Sequence, residues 1–373
     1  MDFTMGHRKR VNGKTVLDWL RETDPRQLAR LYAAADKARR EFVGHAVHLR
    51  GLVEISNHCR RHCLYCGLRT ENCALLRYRM RAEEILEAAR TGLRLGYGTI
   101  VLQAGEDPAL SCGWVAELVR QIKGEIGLPI TLSLGERSEE ELTAWREAGA
   151  DRYLLRFETS DAELFRRIHP SLPGNPSDRV ALLRLLQRLD YEVGGGVMIG
   201  IPGQSYASLA RDIERFGELN LDMIGVGPYL PHPATPLANG AVPPAEDQVS
   251  GNEEMVYKVI ALARLVCPEA NIPSTTALAT LNRVDGRERG LLAGANVIMP
   301  SLTPSQYRPL YEIYPNKACV FETSEQCAGC LRRRIRSLGR VWGSGPGRRV
   351  QMAGGMARTN PRSFAAEAVG LTV

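Results

Sequence analysis

The sequence lacks the long apolar runs that membrane-spanning proteins need. Nowhere in its 373 residues do 18 consecutive apolar residues occur, so we expect no transmembrane helix. The first 13 residues are polar and basic and have no apolar core of the kind found in secretory signals, so no such signal is predicted. These two absences favour the cytoplasm, where cysteine thiols stay reduced.

Acidic residues are nearly missing from the end of the chain. From Leu331 onward there are nine arginines, no lysine and one acidic residue, Glu367, which gives a net charge of +8. Subtracting this from the +6 of the whole chain leaves −2 for the first 330 residues. The basic charge therefore belongs to a tail, and a solvated tail fits it better than a nucleic-acid-binding arm.

The nine cysteines are an odd number, which argues against a disulfide framework. Three of them lie close together in Cys59-Arg-Arg-His-Cys63-Leu-Tyr-Cys66. Thiolates are the usual ligands of iron–sulfur clusters, and a 4Fe–4S cluster has four irons to ligate. Three thiolates therefore leave one iron open, and an open position on a metal is where chemistry takes place.

A zinc site is the alternative for this segment. Structural zinc takes four ligands, often in a C-x2-C rhythm, so His58 or His62 would have to complete the set. The spacing favours the iron–sulfur cluster over zinc.

A second cysteine group lies near the C-terminus. Cys319, Cys327 and Cys330 are spaced C-x7-C-x2-C. This spacing alone leaves a second iron–sulfur cluster, a zinc ion and free thiols all open.

Strand and helix patterns alternate through the middle of the chain. Eight apolar segments are separated by amphipathic helical patterns, which indicates a parallel sheet. Eight such units fit a complete (β/α)8 barrel, with its active site at the carboxyl ends of the strands. The predicted strands are 47–55, 99–103, 129–134, 152–158, 191–199, 222–226, around 272–276, and 295–299.

The chain is longer than such a barrel requires. Helical patterns precede the first strand, and Asp24-Pro25 marks a helix start. We therefore predict an N-terminal helical extension (1–45), the barrel (46–300), a C-terminal extension with the second cysteine group (301–350), and a disordered tail (351–373).

Charged and apolar residues alternate on the predicted strand 152–158. Period-two alternation puts Arg152, Arg156 and Glu158 on one face, which we expect to point into the barrel. An Arg and a Glu buried there could simply pair with each other. A buried ion pair is weak evidence for stability, so we favour ligand binding.

Together these motifs resemble the radical S-adenosylmethionine (SAM) superfamily, and within it the HydE family, which helps to assemble the H-cluster of iron-only (FeFe) hydrogenases. The likeness covers roughly residues 45–335, including the loop from Cys59 to Gly67, Gly105-Glu106 and Ile201-Pro-Gly-Gln204. It implies that a reduced 4Fe–4S cluster cleaves SAM to a 5′-deoxyadenosyl radical. The protein would aim that radical.

The resemblance also implies roles for individual residues. Met223, Tyr311 and Tyr314 would act in catalysis together with Arg156, in a deeper substrate cavity. The implied cluster ligands are Cys59, Cys63 and Cys66, and an accessory-cluster site found in some members is matched by Cys319, Cys327 and Cys330. The residues implied to bind SAM are Tyr65, Gly105, Glu106, Ser133, Glu158 and Arg179. Those implied to bind the substrate are Thr131, Arg156, Thr275 and Thr276.

The implied substrate is a cysteine-bound iron carbonyl cyanide complex, delivered by a partner radical SAM maturase. The implied partners are other hydrogenase maturases and an electron donor such as ferredoxin or flavodoxin, with no nucleic acid and no membrane. Phe157 stands where family members often have His, and strand alternation turns it away from Arg156, so we expect a change in packing.

Three alternative functions remain. Biotin synthase keeps a sacrificial cluster on barrel-strand cysteines, whereas this chain has no cysteine between Cys112 and Cys267. Methylornithine synthase, a lysine mutase, shares the barrel and is harder to separate. The third alternative is an iron–sulfur or zinc scaffold without catalysis.

Overall fold

The computed structural model describes residues 10, 11 and 14–349, which form a parallel α/β fold. The predicted tail, residues 351–373, lies outside the described residues, as does most of the basic start of the chain. None of the described helices combines the length and the apolar composition needed to cross a membrane.

The strands are mostly short, and the longest one begins the main sheet. In the described part of the chain they are β1 (Arg10–Val11), β2 (Lys14–Thr15), β3 (Ala46–Ser56), β4 (Thr99–Ala104), β5 (Ile130–Ser133), β6 (Arg152–Leu154), β7 (Glu192–Gly195), β8 (Met198–Ile199), β9 (Met223–Ile224), β10 (Gly227–Pro228), β11 (Val297–Ile298) and β12 (Val341–Gly343).

Helices precede the main sheet and connect its strands. They are α1 (Val16–Arg21), α2 (Pro25–Val43), α3 (Ala82–Arg94), α4 (Cys112–Gln121), α5 (Glu139–Glu147), α6 (Ala162–Ile168), α7 (Arg179–Arg188), α8 (Tyr206–Glu218), α9 (Glu253–Val266), α10 (Thr276–Leu281), α11 (Gly286–Leu292) and α12 (Ser324–Ser337).

The main sheet is parallel and has the order β11-β3-β4-β5-β6-β7-β9, with β12 also paired to β3. Strands β8 and β10 form a separate parallel pair. This barrel-like arrangement confirms the predicted α/β class. Because the strands are parallel, their carboxyl ends meet at one face of the sheet.

The prediction of a continuous strand at 272–276 is wrong. In the described structure it is represented only by isolated parallel bridges from Asn271 to Met223 and from Pro273 to Val297. Proline has no backbone N–H to donate to a ladder, which explains why no longer strand forms here. The sheet therefore has seven strands on its main path, where eight were predicted.

Local sequence signals explain how the helices are placed, and α8 is an example. Its cap is Ser205, whose Oγ accepts from the Ser208 N–H at 3.1 Å. Leu209, Ile213 and Phe216 recur at helical spacing and are fully buried against the sheet. The same buried face of α8 carries one charged residue, Asp212.

The C-terminal segment, residues 344–349, crosses the amino ends of the strands, opposite the end where β3 leads into the cysteine loop. Arg50 donates to the Gly347 carbonyl at 3.1 Å, and Arg152 donates to the Pro346 carbonyl at 3.2 Å. Both arginines are buried, so these carbonyl groups satisfy donors that water cannot reach. The C-terminal segment thus closes that end of the sheet.

We predict that Gly98→Ala detaches the C-terminal segment. A Cβ at Gly98 would lie 1.7 Å from the Gly345 carbonyl oxygen, and backbone cannot rotate away as a side chain can. The overpacking should lower the free energy of unfolding by about 1–3 kcal/mol. Hydrogen exchange of residues 344–349 measures the detachment.

The matched control is Gly113→Ala, because a Cβ at Gly113 meets nothing within 4 Å. That change lies in α4, where alanine should stabilise the helix slightly. Unchanged exchange protection of the C-terminal segment in Gly98→Ala would contradict the prediction.

Candidate active site

The carboxyl ends of the strands surround a cavity of about 250 Å³. Residues that the sequence analysis assigned to cluster, SAM and substrate line this one cavity together. Those among its lining are Cys59, Cys63, Cys66, Tyr65, Gly105, Glu106, Ser133, Arg156, Glu158, Arg179, Tyr311 and Tyr314.

The cysteine loop follows β3 and packs tightly against the turn after β4. A Cβ at Gly105 would lie 2.3 Å from the His58 carbonyl oxygen and 2.7 Å from the Cys59 Cβ, so no larger residue fits there. The Arg60 N–H donates to the Glu106 carbonyl at 3.0 Å. The Gly105-Glu106 turn therefore fixes the position of the first cysteine.

The three thiols suit an iron–sulfur cluster. Burial raises the pKa of the Cys59 and Cys63 thiols, and raises that of Cys66 to about 12, so a metal must displace protons on binding. Among the described residues, no three His, Cys, Asp or Glu side chains converge on the position of one metal ion. A cluster needs no such convergence, because each thiolate binds a different iron.

His169 was missed by the sequence analysis. Its Nδ1 lies 3.0 Å from the Cys63 Sγ, and its Nε2 lies 3.1 Å from Glu136 Oε1. His62, which was considered as a fourth zinc ligand, is instead exposed and pairs with Glu71. His169 is 106 residues from Cys63, so no local spacing could have indicated this contact.

Glu136 is the hub of the polar network behind the cysteine loop. Besides His169, it contacts Arg179 Nε at 2.9 Å, Ser177 Oγ at 2.6 Å and Arg61 Nη2 at 2.8 Å. Burial raises the pKa of Glu136, but the hydrogen bond from His169, the charge of Arg179 and the Ser177 hydroxyl together hold it well below its ordinary value. Glu136 is therefore ionised over the whole physiological range.

Two predicted SAM ligands are already engaged by protein groups. The Glu106 carboxylate accepts from Arg61 Nε at 2.5 Å and from the Glu136 N–H at 3.0 Å. Arg179 donates to Glu136 and, at 2.7 Å, to the Arg156 carbonyl oxygen. Both line the cavity, so they supply charge and shape there while also holding the loops together.

Arg156 and Glu158 form an ion pair, with Arg156 Nη2 2.7 Å from Glu158 Oε2. The pairing that the sequence analysis weighed against ligand binding is therefore present. However, Arg156 Nε is buried and has no hydrogen-bond partner in the described structure. Glu158 has φ of +63°, a left-handed conformation that costs a residue with a Cβ roughly 1–2 kcal/mol.

The predicted alternation along 152–158 holds at most positions, because Arg156 and Glu158 line the cavity whereas Phe157 packs in the hydrophobic core. Strand β6 ends at Leu154, and both Leu154 and Leu155 line the cavity. Arg152 lies at the amino end, where its Nε is 2.5 Å from Glu192 Oε2. Leu155 departs from the alternation, and it lies just beyond the end of β6.

Four predicted substrate residues lie outside the lining of this cavity. Thr131 is buried with an unpartnered hydroxyl in the described structure, and Met223 Sδ lies 2.7 Å from Arg50 Nη1. Thr275 Oγ1 caps α10 by accepting from the Leu278 N–H, and Thr276 is the first residue of that helix. Their roles as substrate ligands stay predictions.

The second cysteine group is separate from the cavity lining. Cys327 and Cys330 lie on α12, and Cys319 precedes that helix. A hydrogen bond from the Cys327 thiol, together with the charge of Arg287 3.5 Å away, lowers the pKa of Cys319 to about 6. A second cluster at this group stays a prediction.

Comparison with known proteins identifies the family. The Radical SAM superfamily pattern matches residues 53–216. The chain is 46% identical over 310 residues to the FeFe hydrogenase maturase subunit HydE of Thermotoga maritima, across 83% of this chain and 86% of that protein. The chain belongs to the HydE family of radical SAM enzymes. The resemblance predicted from the motifs is thus confirmed, and membership implies a 4Fe–4S cluster and SAM.

Other relatives agree with the fold of this HydE-family chain. The 3-methylornithine synthase of Methanosarcina barkeri is 33% identical across 74% of this chain and 75% of that protein. A crystal structure of methylornithine synthase (PylB) covers 91% of this chain and 95% of its own, at 29% identity and TM-score 0.75. The maturase HydG of Carboxydothermus hydrogenoformans has the same fold, with 19% identity, TM-score 0.71 and coverage of 86% of this chain and 73% of its own.

We predict that Cys63→Ala abolishes reductive SAM cleavage, because it removes one of three cluster ligands. Iron content and 5′-deoxyadenosine release measure the loss. Cys73→Ala is the control, since Cys73 is exposed and is not part of the cavity lining. If Cys63→Ala cleaves SAM as the parent protein does, Cys63 is not a required cluster ligand.

We also predict that replacing Cys319, Cys327 and Cys330 together by Ala leaves SAM cleavage intact. These thiols do not line the cavity, so the radical chemistry does not need them. Iron per chain should fall while 5′-deoxyadenosine production persists. Loss of both, with the melting temperature unchanged, would show that the second group serves the reaction.

Proposed function

We propose that this chain cleaves SAM reductively and uses the 5′-deoxyadenosyl radical on a cysteine-bound iron carbonyl cyanide precursor of the H-cluster. The observation that carries the proposal is that Cys59, Cys63, Cys66 and Arg156 line one cavity, in a chain 46% identical to a HydE maturase. The fold alone would not support it, because one fold hosts many chemistries.

Cys59, Cys63 and Cys66 are the proposed cluster ligands. Together with SAM, the reduced cluster supplies the 5′-deoxyadenosyl radical when both are bound. The protein's contribution is to hold the three thiols around one cavity and to neutralise charge behind them through Arg61 and Arg179.

The proposed SAM site lies around Glu158. Its carboxylate can accept hydrogen bonds from a ribose, and Gly105 brings backbone within reach of the cavity. Tyr65 and Ser133 line the same cavity, and Arg61 holds the Glu106 carboxylate beside it. Arg179 adds a positive charge that favours the SAM carboxylate.

The proposed substrate site uses Arg156 and the two tyrosines. An iron complex carrying cyanide is anionic, and Arg156 Nε is a buried donor that has no hydrogen-bond partner among the described residues. Tyr311 and Tyr314 have pKa values that burial raises well above the ordinary value, so both stay protonated and act as hydrogen-bond donors. These donors suit cyanide nitrogens.

The complete (β/α)8 barrel also stays part of the proposal. The bridges from Asn271 to Met223 and from Pro273 to Val297 support it, since they join β9 and β11 through one intervening segment. Such a ring encloses the cavity and excludes water from a radical.

The proposed partners are other hydrogenase maturases, which deliver the substrate and receive the product, and a ferredoxin or flavodoxin as electron donor. The cytoplasm is the proposed compartment, because thiols stay reduced there. A second cluster at Cys319, Cys327 and Cys330 is the proposed accessory group, supported by the cysteine spacing.

A methylornithine synthase activity is the second candidate, favoured by the 33% identity to the M. barkeri enzyme and by the TM-score of 0.75. Reconstituted, reduced protein separates the two. We expect 5′-deoxyadenosine release and rescue of an FeFe hydrogenase lacking this maturase, with no turnover of lysine. Turnover of lysine without rescue would overturn the maturase proposal.

We predict that Glu158→Gln weakens SAM binding roughly ten- to a hundredfold, because a hydrogen bond to a charged acceptor is lost. Arg156→Ala should spare SAM binding and damage use of the anionic substrate. Isothermal titration with SAM, alongside Glu87→Gln on the exposed face of α3 as control, measures both. Equal loss of SAM affinity in the two variants would show that the cofactor and substrate sites are not separate.

A further inference from the structure

The turn that carries Glu158 must be held in place by its surroundings. Its φ of +63° lies in the region that favours glycine, and non-glycine residues remain there only where contacts fix them. The Glu158 N–H donates to the Gly196 carbonyl at 3.1 Å, and its own carbonyl accepts from Met198 N–H at 3.0 Å. These bonds fix one side of the turn.

Asp212 of α8 fixes the other side. Its Oδ1 accepts from the Ser160 N–H, from Ser160 Oγ at 2.6 Å and from Thr159 Oγ1 at 3.3 Å. Thr159 and Ser160 directly follow Glu158. One carboxylate oxygen thus collects donors from both residues after the left-handed turn.

The second oxygen of Asp212 reaches another turn. It accepts from Gln204 Nε2 at 3.3 Å, and Gln204 also donates to the Met198 carbonyl at 3.0 Å and accepts from the Gly200 N–H at 2.7 Å. Met198, like Glu158, lines the cavity. Asp212 and Gln204 therefore join the turn after β6 to the turn after β8.

Asp212 has an unusual environment for a carboxylate. It is fully buried, and no Arg, Lys or His within residues 14–349 lies within ion-pair distance of it. Burial raises its pKa to about 6, since its partners are neutral donors. Burying a carboxylate without a cationic partner costs free energy, and the hydrogen bonds of Asp212 all go to two turns that form the cavity. This arrangement indicates a role beyond packing.

We infer that Asp212 is a positioning residue that, with Gln204, holds Glu158 in the orientation that binds SAM. The inference rests on the proposed function, in which the Glu158 carboxylate contacts SAM. Without the hydrogen bonds to Asp212, residues 159 and 160 would shift and the left-handed conformation of Glu158 would relax. The Glu158 carboxylate would then leave its position in the cavity lining.

The test is a double-mutant cycle read by isothermal titration of SAM into protein with its cluster reconstituted and oxidised, so that no turnover occurs. Asp212→Asn should weaken SAM binding roughly tenfold, the size expected for one well-placed hydrogen bond to a charged group. Iron content should stay as in the parent. In the Glu158→Gln background, Asp212→Asn should cause no further loss of SAM affinity, because the Glu158 carboxylate that Asp212 positions is already gone.

The matched control is Asp161→Asn. Asp161 caps α6 by accepting from the Glu163 and Leu164 N–H groups, and asparagine caps a helix equally well. It should bind SAM as the parent does. If Asp161→Asn weakens SAM binding as much as Asp212→Asn does, the effect is a general loosening of the loop and the inference is overturned.

The results distinguish a failure of this inference from a failure of the proposed SAM-binding role of Glu158. Equal losses from Asp212→Asn in both backgrounds, or unchanged SAM affinity, overturn the inference alone. Parent-like SAM binding by Glu158→Gln overturns the SAM role of Glu158 and the inference with it. If Asp212→Asn does not fold, Ser160→Ala removes one donor to the same oxygen and runs the same cycle, with a few-fold loss expected in the parent background and none with Glu158→Gln.

Discussion

The buried carboxylate of Glu136 is the interaction on which the site depends. It forms an ion pair with Arg61 of the cysteine loop and hydrogen bonds with Arg179 at the start of α7 and with His169, whose Nδ1 lies 3.0 Å from the Cys63 Sγ. A buried charge without partners would be very costly, so these contacts favour keeping the three segments beside one another. Removing any one donor would leave the carboxylate partly unpaired and loosen the two others. The position of the Cys63 thiol is therefore linked, through His169, to a carboxylate that is not a predicted cluster ligand.

Much of this fold could be read from periodicity. The alternation of strands and helices, and the position of the cysteine loop at a strand's carboxyl end, follow from hydrophobic patterns and from the geometry of parallel sheets. The failures have local causes. The strand predicted at 152–158 ends at Leu154 and is followed by a left-handed residue at Glu158, and the one at 272–276 is cut short at Pro273. Neither conformation leaves a mark on the apolar pattern.

The site could be predicted only where a motif is local in sequence. The Cys59–Cys66 loop was found because its spacing carries the chemistry, and Gly105-Glu106 was found through the family resemblance, whereas His169 and Asp212 act on residues far away along the chain. A lone buried histidine or aspartate gives no sequence signal that separates it from an ordinary core residue. Family resemblance supplied roles for Thr131 and Met223, but only contacts could reveal that they lie outside the main cavity lining.

The pairing of β12 with β3 has a consequence for how the chain folds during synthesis. Val341 pairs with Ala46, so the first strand of the main sheet lacks one of its neighbours until residues 341–343 have left the ribosome. At about 5–20 residues per second, that delay is on the order of tens of seconds. The cysteine loop follows β3 immediately, so its three thiols emerge early and stay exposed to oxidants throughout. Slow, non-local closure of the sheet thus makes the nascent chain dependent on a reducing environment before any iron is bound.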